Sequence, residues 1–299
     1  MTTLYLNRHL PDDERRARVF DGDFFLYTEV RGSRALCALA QEMAEEAFAG
    51  LDPERAQFDM GVEEFIQRVG PLKSGFTNSA RTKELCQIYL TELGCDPLRT
   101  YFDLPRLRVV PSDGYLTSGV SYAYKAHRDT WYAHPRQLVN FWIPVWPVVG
   151  DNTMSMFVRY FDEQVANGSA GFDYDDWVAN SRFAAAGQVK GEARPHPLPR
   201  QSIDTRGEIR IAGGAGDAML FSTCHLHATA PNCSGVTRFS VDLRTVHLDD
   251  LMDGRGPALD DSEATGTTLG DFLRVADLEP LDVGVLPEGI RRQRLAVPA

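Results

Sequence analysis

The chain has 299 residues, a formal net charge of −11 and 43% hydrophobic residues, enough to bury one large core or two smaller ones. Its acidity argues against a nucleic-acid partner, because proteins that neutralise phosphates carry a basic face. The five cysteines, Cys37, Cys86, Cys95, Cys224 and Cys233, are odd in number and lack a C-x-x-C pair, which excludes a disulfide framework or cysteine zinc knuckle and fits a reducing cytoplasm.

Met1 to Phe20 lacks an apolar core of the secretory kind, and the longest apolar run, Leu138 to Val149, is too short to span a bilayer. A soluble, cytoplasmic protein without a membrane partner is expected. From Ser33 to Phe48 the apolar residues recur at three and four with acids opposite, predicting an amphipathic helix. A second helix is predicted from about Asn78 to Leu93, with Ser79 or Asn78 as N-cap and Gly94 closing it. Residues 1–104 are thus read as a mainly helical layer.

After Pro105 short β-rich runs follow one another: Leu107 to Val110, Val120 to Tyr124, Leu138 to Val145 and Met154 to Val158, separated by turn signals such as Pro111-Ser112-Asp113-Gly114. A polar insertion over 162–201 holds a short predicted helix around Tyr174 to Phe183 and is long enough to serve as a lid. Strands resume at Glu208 to Ile211, Ala218 to Phe221 and Thr237 to Val246, and the acidic, Gly-rich segment 253–270 reads as a mobile loop. The expected architecture is mainly β with flanking helices. It is a double-stranded β-helix (jelly roll, cupin-like) in one domain over 1–299, with the core at 105–248 and a C-terminal extension over 249–299.

Two segments carry chemistry. In Ala126-His127-Arg128-Asp129-Thr130-Trp131-Tyr132 a histidine and a carboxylate stand two apart, on one side if the segment is a strand. About a hundred residues later comes Cys224-His225-Leu226-His227-Ala228-Thr229-Ala230-Pro231-Asn232, then Arg238-Phe239-Ser240. Two histidines and one carboxylate leave three adjacent positions on octahedral iron, as in non-haem Fe(II) oxygenases. On spacing alone His225 or His227 can be the third ligand. Arg238, Ser240, Asp242 and Arg244 share one strand face, and a buried guanidinium there needs a carboxylate partner.

In these segments the chain resembles the phytanoyl-CoA dioxygenase-like branch of the Fe(II)/2-oxoglutarate oxygenases. There a Gly-Asp turn opens a strand that ends in the distal histidine, a Pro-Asn follows, and an arginine eleven residues past the histidine holds the far carboxylate of 2-oxoglutarate. Gly216-Asp217, His227, Asn232 and Arg238 match in order, and His127 and Asp129 match the H-x-D, so the resemblance covers roughly residues 105–246. His-Arg-Asp-Thr-Trp-Tyr is also locally similar to the metal motif of bacterial hydroxylases acting on a lipopolysaccharide sugar acid.

The resemblance implies Fe(II) on His127, Asp129 and His227, with 2-oxoglutarate and O2 as cosubstrates. Asp129 stands where related halogenases carry a small residue, so hydroxylation of an unactivated C–H bond is the expected outcome, with release of succinate and CO2. Beside Arg238, Ser240 is expected to add a hydroxyl to the cosubstrate site, and Lys125 and Asn140 are further candidates there. Trp131, Tyr132, His225 and Arg244 are candidate substrate contacts, against ordinary packing or ion-pair roles for each. Asp242 is the simplest partner for one of the arginines, and His9, His134, His196 and His247 default to surface or packing roles. Lys190, Arg194 and Arg200 on the insertion suggest a small-molecule substrate with an anionic group. Two other readings compete: a zinc-dependent hydrolase or isomerase on a cupin-like barrel, which has no use for Arg238, and a non-catalytic metal-binding barrel.

Overall fold

A computed structural model describes residues 1–290. The chain opens with β1 (Leu4–Leu6), α1 (Asp12–Phe20), β2 (Phe24–Tyr27), α2 (Arg31–Phe48), α3 (Val62–Asn78) and α4 (Ala80–Glu92). There follow β3 (Thr100–Phe102), β4 (Arg106–Val110), β5 (Val139–Pro144), β6 (Met154–Met156), α5 (Tyr174–Asn180), β7 (Ile209–Arg210), β8 (Ala218–Ser222), β9 (His227–Thr229), β10 (Arg238–His247), α6 (Leu248–Asp253) and β11 (Leu273–Arg274). Eight strands form one sheet in the order β1-β2-β8-β5-β10-β3-β11, with β4 also on β10; β7-β6-β9 form a second, smaller sheet. The architecture is mainly β with flanking helices, of the cupin-like kind expected from the succession of β-rich runs.

Alternation decides which face does what. On β10, Phe239, Val241 and Leu243 enter the core with Phe141 and Ile143 of β5, whereas Arg238, Asp242 and Arg244 face a cavity with Asn140 and Trp142. The register fixes this division, since Leu243 pairs with Phe141 and Arg244 with Asn140; a one-residue slip would exchange the two faces.

Helices α2, α3 and α4 cover the apolar face. The α2 residues Leu36, Cys37, Ala40, Ala44 and Phe48 are all buried, and Phe48 packs 5.7 Å from Phe65 of α3 and edge-on to Phe239 of β10 at 6.3 Å. Truncating such a ring costs about 3–5 kcal/mol. The Ser79 hydroxyl caps α4 by accepting from Thr82 N–H at 3.3 Å, and Gly94 closes it at φ +81°, both as the capping signals predict.

Several expectations fail for identifiable reasons. Val120 to Tyr124 is not a strand: Gly119 at φ +60° begins a 3₁₀ turn over Gly119–Ser121. A Cβ there would lie 2.3 Å from the Ala185 carbonyl, so the turn is shaped by close approach of the insertion. The N-terminal layer is mainly helical as expected, and it also lends the large sheet β2, which pairs with β8. The segment 253–270 is tied down rather than loose: Asp261 accepts from Trp131 Nε1 at 2.7 Å and lies 3.2 Å from Arg128.

Candidate metal centre and cavity

His127 is held by backbone pairing to β9: its N–H donates to the His227 carbonyl, and His227 N–H donates back, both at 2.9 Å. Asp129 then starts a 3₁₀ turn over Asp129–Tyr132, and its N–H donates to the Thr223 carbonyl at 3.2 Å. The pair therefore converges through a bridge and a turn rather than through the regular strand the spacing suggested. Lys125, expected to share the inward face, is exposed and contributes only its carbonyl, 2.8 Å from His127 Nδ1.

One donor atom from each of His127, Asp129 and His227 lies within 4.8 Å of the others. Asp129 Oδ1 is 3.4 Å from His127 Nε2 and 3.9 Å from His227 Nε2. Two ligands at right angles about a metal, each roughly 2.1 Å from it, are about 3 Å apart, so modest closing would bring these donors onto one ion. The tautomers fit as well. Each Nδ1 faces a backbone carbonyl, Lys125 O for His127 and His225 O for His227 at 2.9 Å, so Nδ1 carries the proton and Nε2 presents its lone pair inward. Burial, with the neighbouring His127, lowers the His227 pKa to about 4, so its ring is neutral at physiological pH. Burial alone would raise the Asp129 pKa, but Arg244 and the two histidines outweigh it and hold the carboxyl well below its usual range.

Arg244 accounts for the other oxygen of Asp129. Its Nε donates to Oδ2 at 3.0 Å, and Nη1 donates to Asp103 Oδ2 at 3.2 Å. Asp103, 1% exposed, also accepts from Arg244 N–H through Oδ1 at 2.8 Å. Arg244, a candidate substrate contact in the sequence, is thus held by two carboxylates, and Oδ1 alone of Asp129 is left facing the histidines. Asp242 pairs instead with Arg108 at 2.5 Å.

The triad opens into a cavity of about 530 Å3, within the range of small-ligand sites. Arg238 lines it, 4% exposed. Its Nη1 donates to the Thr153 and Asn152 carbonyls at 3.1 and 3.3 Å, Nε has no partner, and among the described residues no carboxylate lies within 4.0 Å of it. Burial lowers its pKa to about 10. An uncompensated buried guanidinium is costly unless an anion meets it, and a 2-oxoglutarate carboxylate matches its planar fork. Asn140 Nδ2 and Ser240 Oγ are buried without partners near the same face; Asn140 lines the cavity, and Ser240 does not.

Tyr132 lines the cavity, but two other candidate substrate contacts do not. Trp131, fully buried, packs with Phe157, Tyr160 and Leu226. His225 is also fully buried; its Nδ1 accepts from Ser222 N–H at 3.2 Å and its Nε2 lies 3.2 Å from the Gly22 carbonyl, so it braces the loop before β9. On the insertion Lys190 and Arg200 are exposed, and Arg194 reaches the cavity.

Two further residues line the cavity: His134, for which the sequence implied a surface or packing role, and Lys73, for which it implied none. His134 lines the cavity with Nδ1 2.8 Å from Thr268 Oγ1, and burial, with Arg244, lowers its pKa well below the usual imidazole value. Its position seven residues after His127 was the one available signal. Lys73 comes from α3, where nothing in the sequence ties it to the β core.

The family model for phytanoyl-CoA dioxygenase (PhyH) matches residues 36–240, and the chain belongs to that family. It is accordingly a non-haem iron enzyme dependent on 2-oxoglutarate, with Fe(II), 2-oxoglutarate and O2 as its cofactor set. No curated protein matches the chain. Among solved structures it is similar to EvdO2 from Micromonospora carbonacea var. aurantiaca, at 13% identity over 92% of this chain and 97% of that one, with a TM-score of 0.47. It is also similar to SnoN, a non-haem α-ketoglutarate-dependent epimerase from nogalamycin biosynthesis, at 14% identity over 85% and 95% of the two chains, with a TM-score of 0.38. AviO1 from Streptomyces viridochromogenes Tue57 shares 12% identity over 80% and 96%, with a TM-score of 0.37.

Proposed function

We propose that this chain hydroxylates an unactivated C–H bond of a small, polar metabolite. His127, Asp129 and His227 would hold Fe(II), and Arg238 would hold the far carboxylate of 2-oxoglutarate. The observation that carries the reading is the pairing of three converging donors with a buried guanidinium that has carbonyl partners and no carboxylate. When bound, Fe(II) with 2-oxoglutarate and O2 supplies the oxidant, with release of succinate and CO2.

The residues then divide the work. The two backbone carbonyls fix the imidazole tautomers, and Arg244 holds Asp129 Oδ2, so that Asp129 would offer the metal a single oxygen. Asn140 has an amide N–H to offer the cosubstrate, and Tyr132 walls the substrate side. The insertion supplies Phe172, Trp177 and Phe183 to the cavity wall, where aromatic rings exclude water from the reacting centre. Retention of a carboxylate at Asp129 favours hydroxylation over transfer of a bound halide.

A succinate-release screen over amino acids, sugar acids and biosynthetic intermediates tests the reading, with His127→Ala as blank. Succinate formed in step with a product one oxygen atom heavier than its substrate is the expected result. Succinate with a product two hydrogens lighter would replace hydroxylation by desaturation.

A further inference from the structure

Counting the cations around the cavity leaves one that the cosubstrate does not explain. Arg244 is matched by Asp129 and Asp103, Arg108 by Asp242, Arg182 by Asp271 at 2.9 Å, and Arg194 by Glu192 at 2.7 Å. Arg106 lies at longer range from Asp271, 3.9 Å, and Asp103, 4.0 Å. Among the described residues Arg238 and Lys73 line the cavity with no carboxylate within 4.0 Å. Arg238 is accounted for by 2-oxoglutarate; Lys73 is not.

The position of Lys73 is built rather than incidental. It projects from α3, and its Nζ donates to the Val120 carbonyl. On the same turn Arg194 donates to the Gly119 carbonyl at 3.2 Å, and Glu192 accepts from Gly119 N–H at 2.9 Å. The turn at Gly119–Ser121 therefore brings an ammonium from the helical layer and a guanidinium from the insertion to one place on the cavity wall. Aromatic side chains stand beside it: the Arg194 guanidinium lies 5.5 Å from the Trp177 ring and that of Arg108 lies 4.9 Å from Tyr124, while Tyr122 and Tyr124 meet edge-on at 4.7 Å.

We propose that Lys73, with Arg194 and Arg108, forms a second anion subsite in the cavity, and that the substrate is a ring-bearing small molecule whose phosphate, carboxylate or sulfate binds there. The inference deepens the proposed function and rests on the same cavity being the active site. Burial, with Arg108, Arg194 and Arg106 nearby, lowers the Lys73 ammonium to about 7, and Asp242, already engaged by Arg108, opposes this. An arriving oxyanion would favour the charged form and draw a proton in. Affinity should accordingly fall as pH rises above about 7.

The test is calorimetric titration of the anaerobic enzyme, loaded with Fe(II) and 2-oxoglutarate, with phenyl phosphate, benzoate, benzenesulfonate and phenol. At least one aryl oxyanion should bind about ten-fold or more tighter than phenol, the scale of one charge-assisted hydrogen bond, and the best of the three identifies the anionic group. Lys73→Met should abolish that preference and leave 2-oxoglutarate affinity unchanged, whereas Lys73→Arg should retain the preference. Equal binding of phenol and all three oxyanions, unaltered oxyanion binding in Lys73→Met, or displacement of the oxyanion by excess 2-oxoglutarate would overturn the subsite. Lys73-dependent oxyanion binding in a protein that takes up neither Fe(II) nor 2-oxoglutarate would instead remove the oxygenase reading and leave the subsite standing.

Discussion

Replacing Arg244 with Met tests whether the Asp103–Arg244–Asp129 chain sets the metal carboxylate. The substitution keeps an unbranched side chain, shorter than arginine, and removes the donors to Asp129 Oδ2 at 3.0 Å and Asp103 Oδ2 at 3.2 Å. It strands Asp103, whose nearest remaining side-chain cation is Arg106 at 4.0 Å. Removing one partner of a buried ion pair costs about 3–5 kcal/mol. With an unfolding entropy of roughly 2.1 cal/mol/K per residue, that is a fall in Tm of about 5–8 °C. Asp129 also becomes free to rotate and offer both oxygens, and loss of such an outer partner costs about 10- to 100-fold in metal affinity. Calorimetric scanning of the metal-free protein and anaerobic Fe(II) titration measure the two effects separately. Adding Asp103→Leu to Arg244→Met should recover part of the stability, because Asp103 is then no longer a stranded charge although buried Asp129 still lacks its guanidinium, while metal affinity stays low. Wild-type metal affinity in Arg244→Met, or additive stability losses in the double variant, would refute the reasoning.

His225→Ala should bind Fe(II) like wild type and lose stability by about 1–3 kcal/mol, since it strands the buried Ser222 N–H, whereas His127→Ala should lose the metal; equilibrium dialysis with thermal melts separates them. Arg238→Met should retain Fe(II) and raise the Kd for 2-oxoglutarate by at least about ten-fold, the loss of a charge-assisted pair, read by fluorescence or calorimetric titration. The stability of the metal-free protein should fall as pH drops from 6.5 towards 4. Burial lowers the pKa of His227 to about 4 and of His225 to about 3, so below 6.5 the unfolded chain takes up protons that the folded chain refuses. A denaturant midpoint that is flat from pH 7 to 4 would contradict this.

The sequence made the core strands legible because they are β-rich runs bounded by turn signals: β4, β5, β8 and β10 all lie where those runs put them, and the two-residue period on β10 placed Arg238, Asp242 and Arg244 on one face. It did not make short or bridged pairings legible. β9 has three residues, and His127 meets it through an isolated bridge, so the convergence of His127 and His227 came through the family resemblance and not through periodicity. Val120 to Tyr124 alternates like a strand, yet Gly119 and the packing of Ala185 impose a turn, a tertiary cause that no local pattern records. Partner choice was equally hidden. Arg244 was one of two arginines near Asp242 in the sequence, and it took Asp103, 141 residues away, and Asp129, 115 residues away. Lys190 and Arg200 carried charge in the right segment but point to solvent, while Lys73, from a helix the sequence left unassigned, reaches the cavity.

In the proposed site one iron and one 2-oxoglutarate share the space between His127, Asp129, His227 and Arg238. Anaerobic addition of Fe(II) and then 2-oxoglutarate to the metal-free protein, followed by visible absorption, tests it most directly. A weak charge-transfer band that requires both additions, is absent in His127→Ala and needs far more 2-oxoglutarate in Arg238→Met is the predicted result. No band from a protein that binds metal tightly, or the same band at the same 2-oxoglutarate concentration in Arg238→Met, would contradict it.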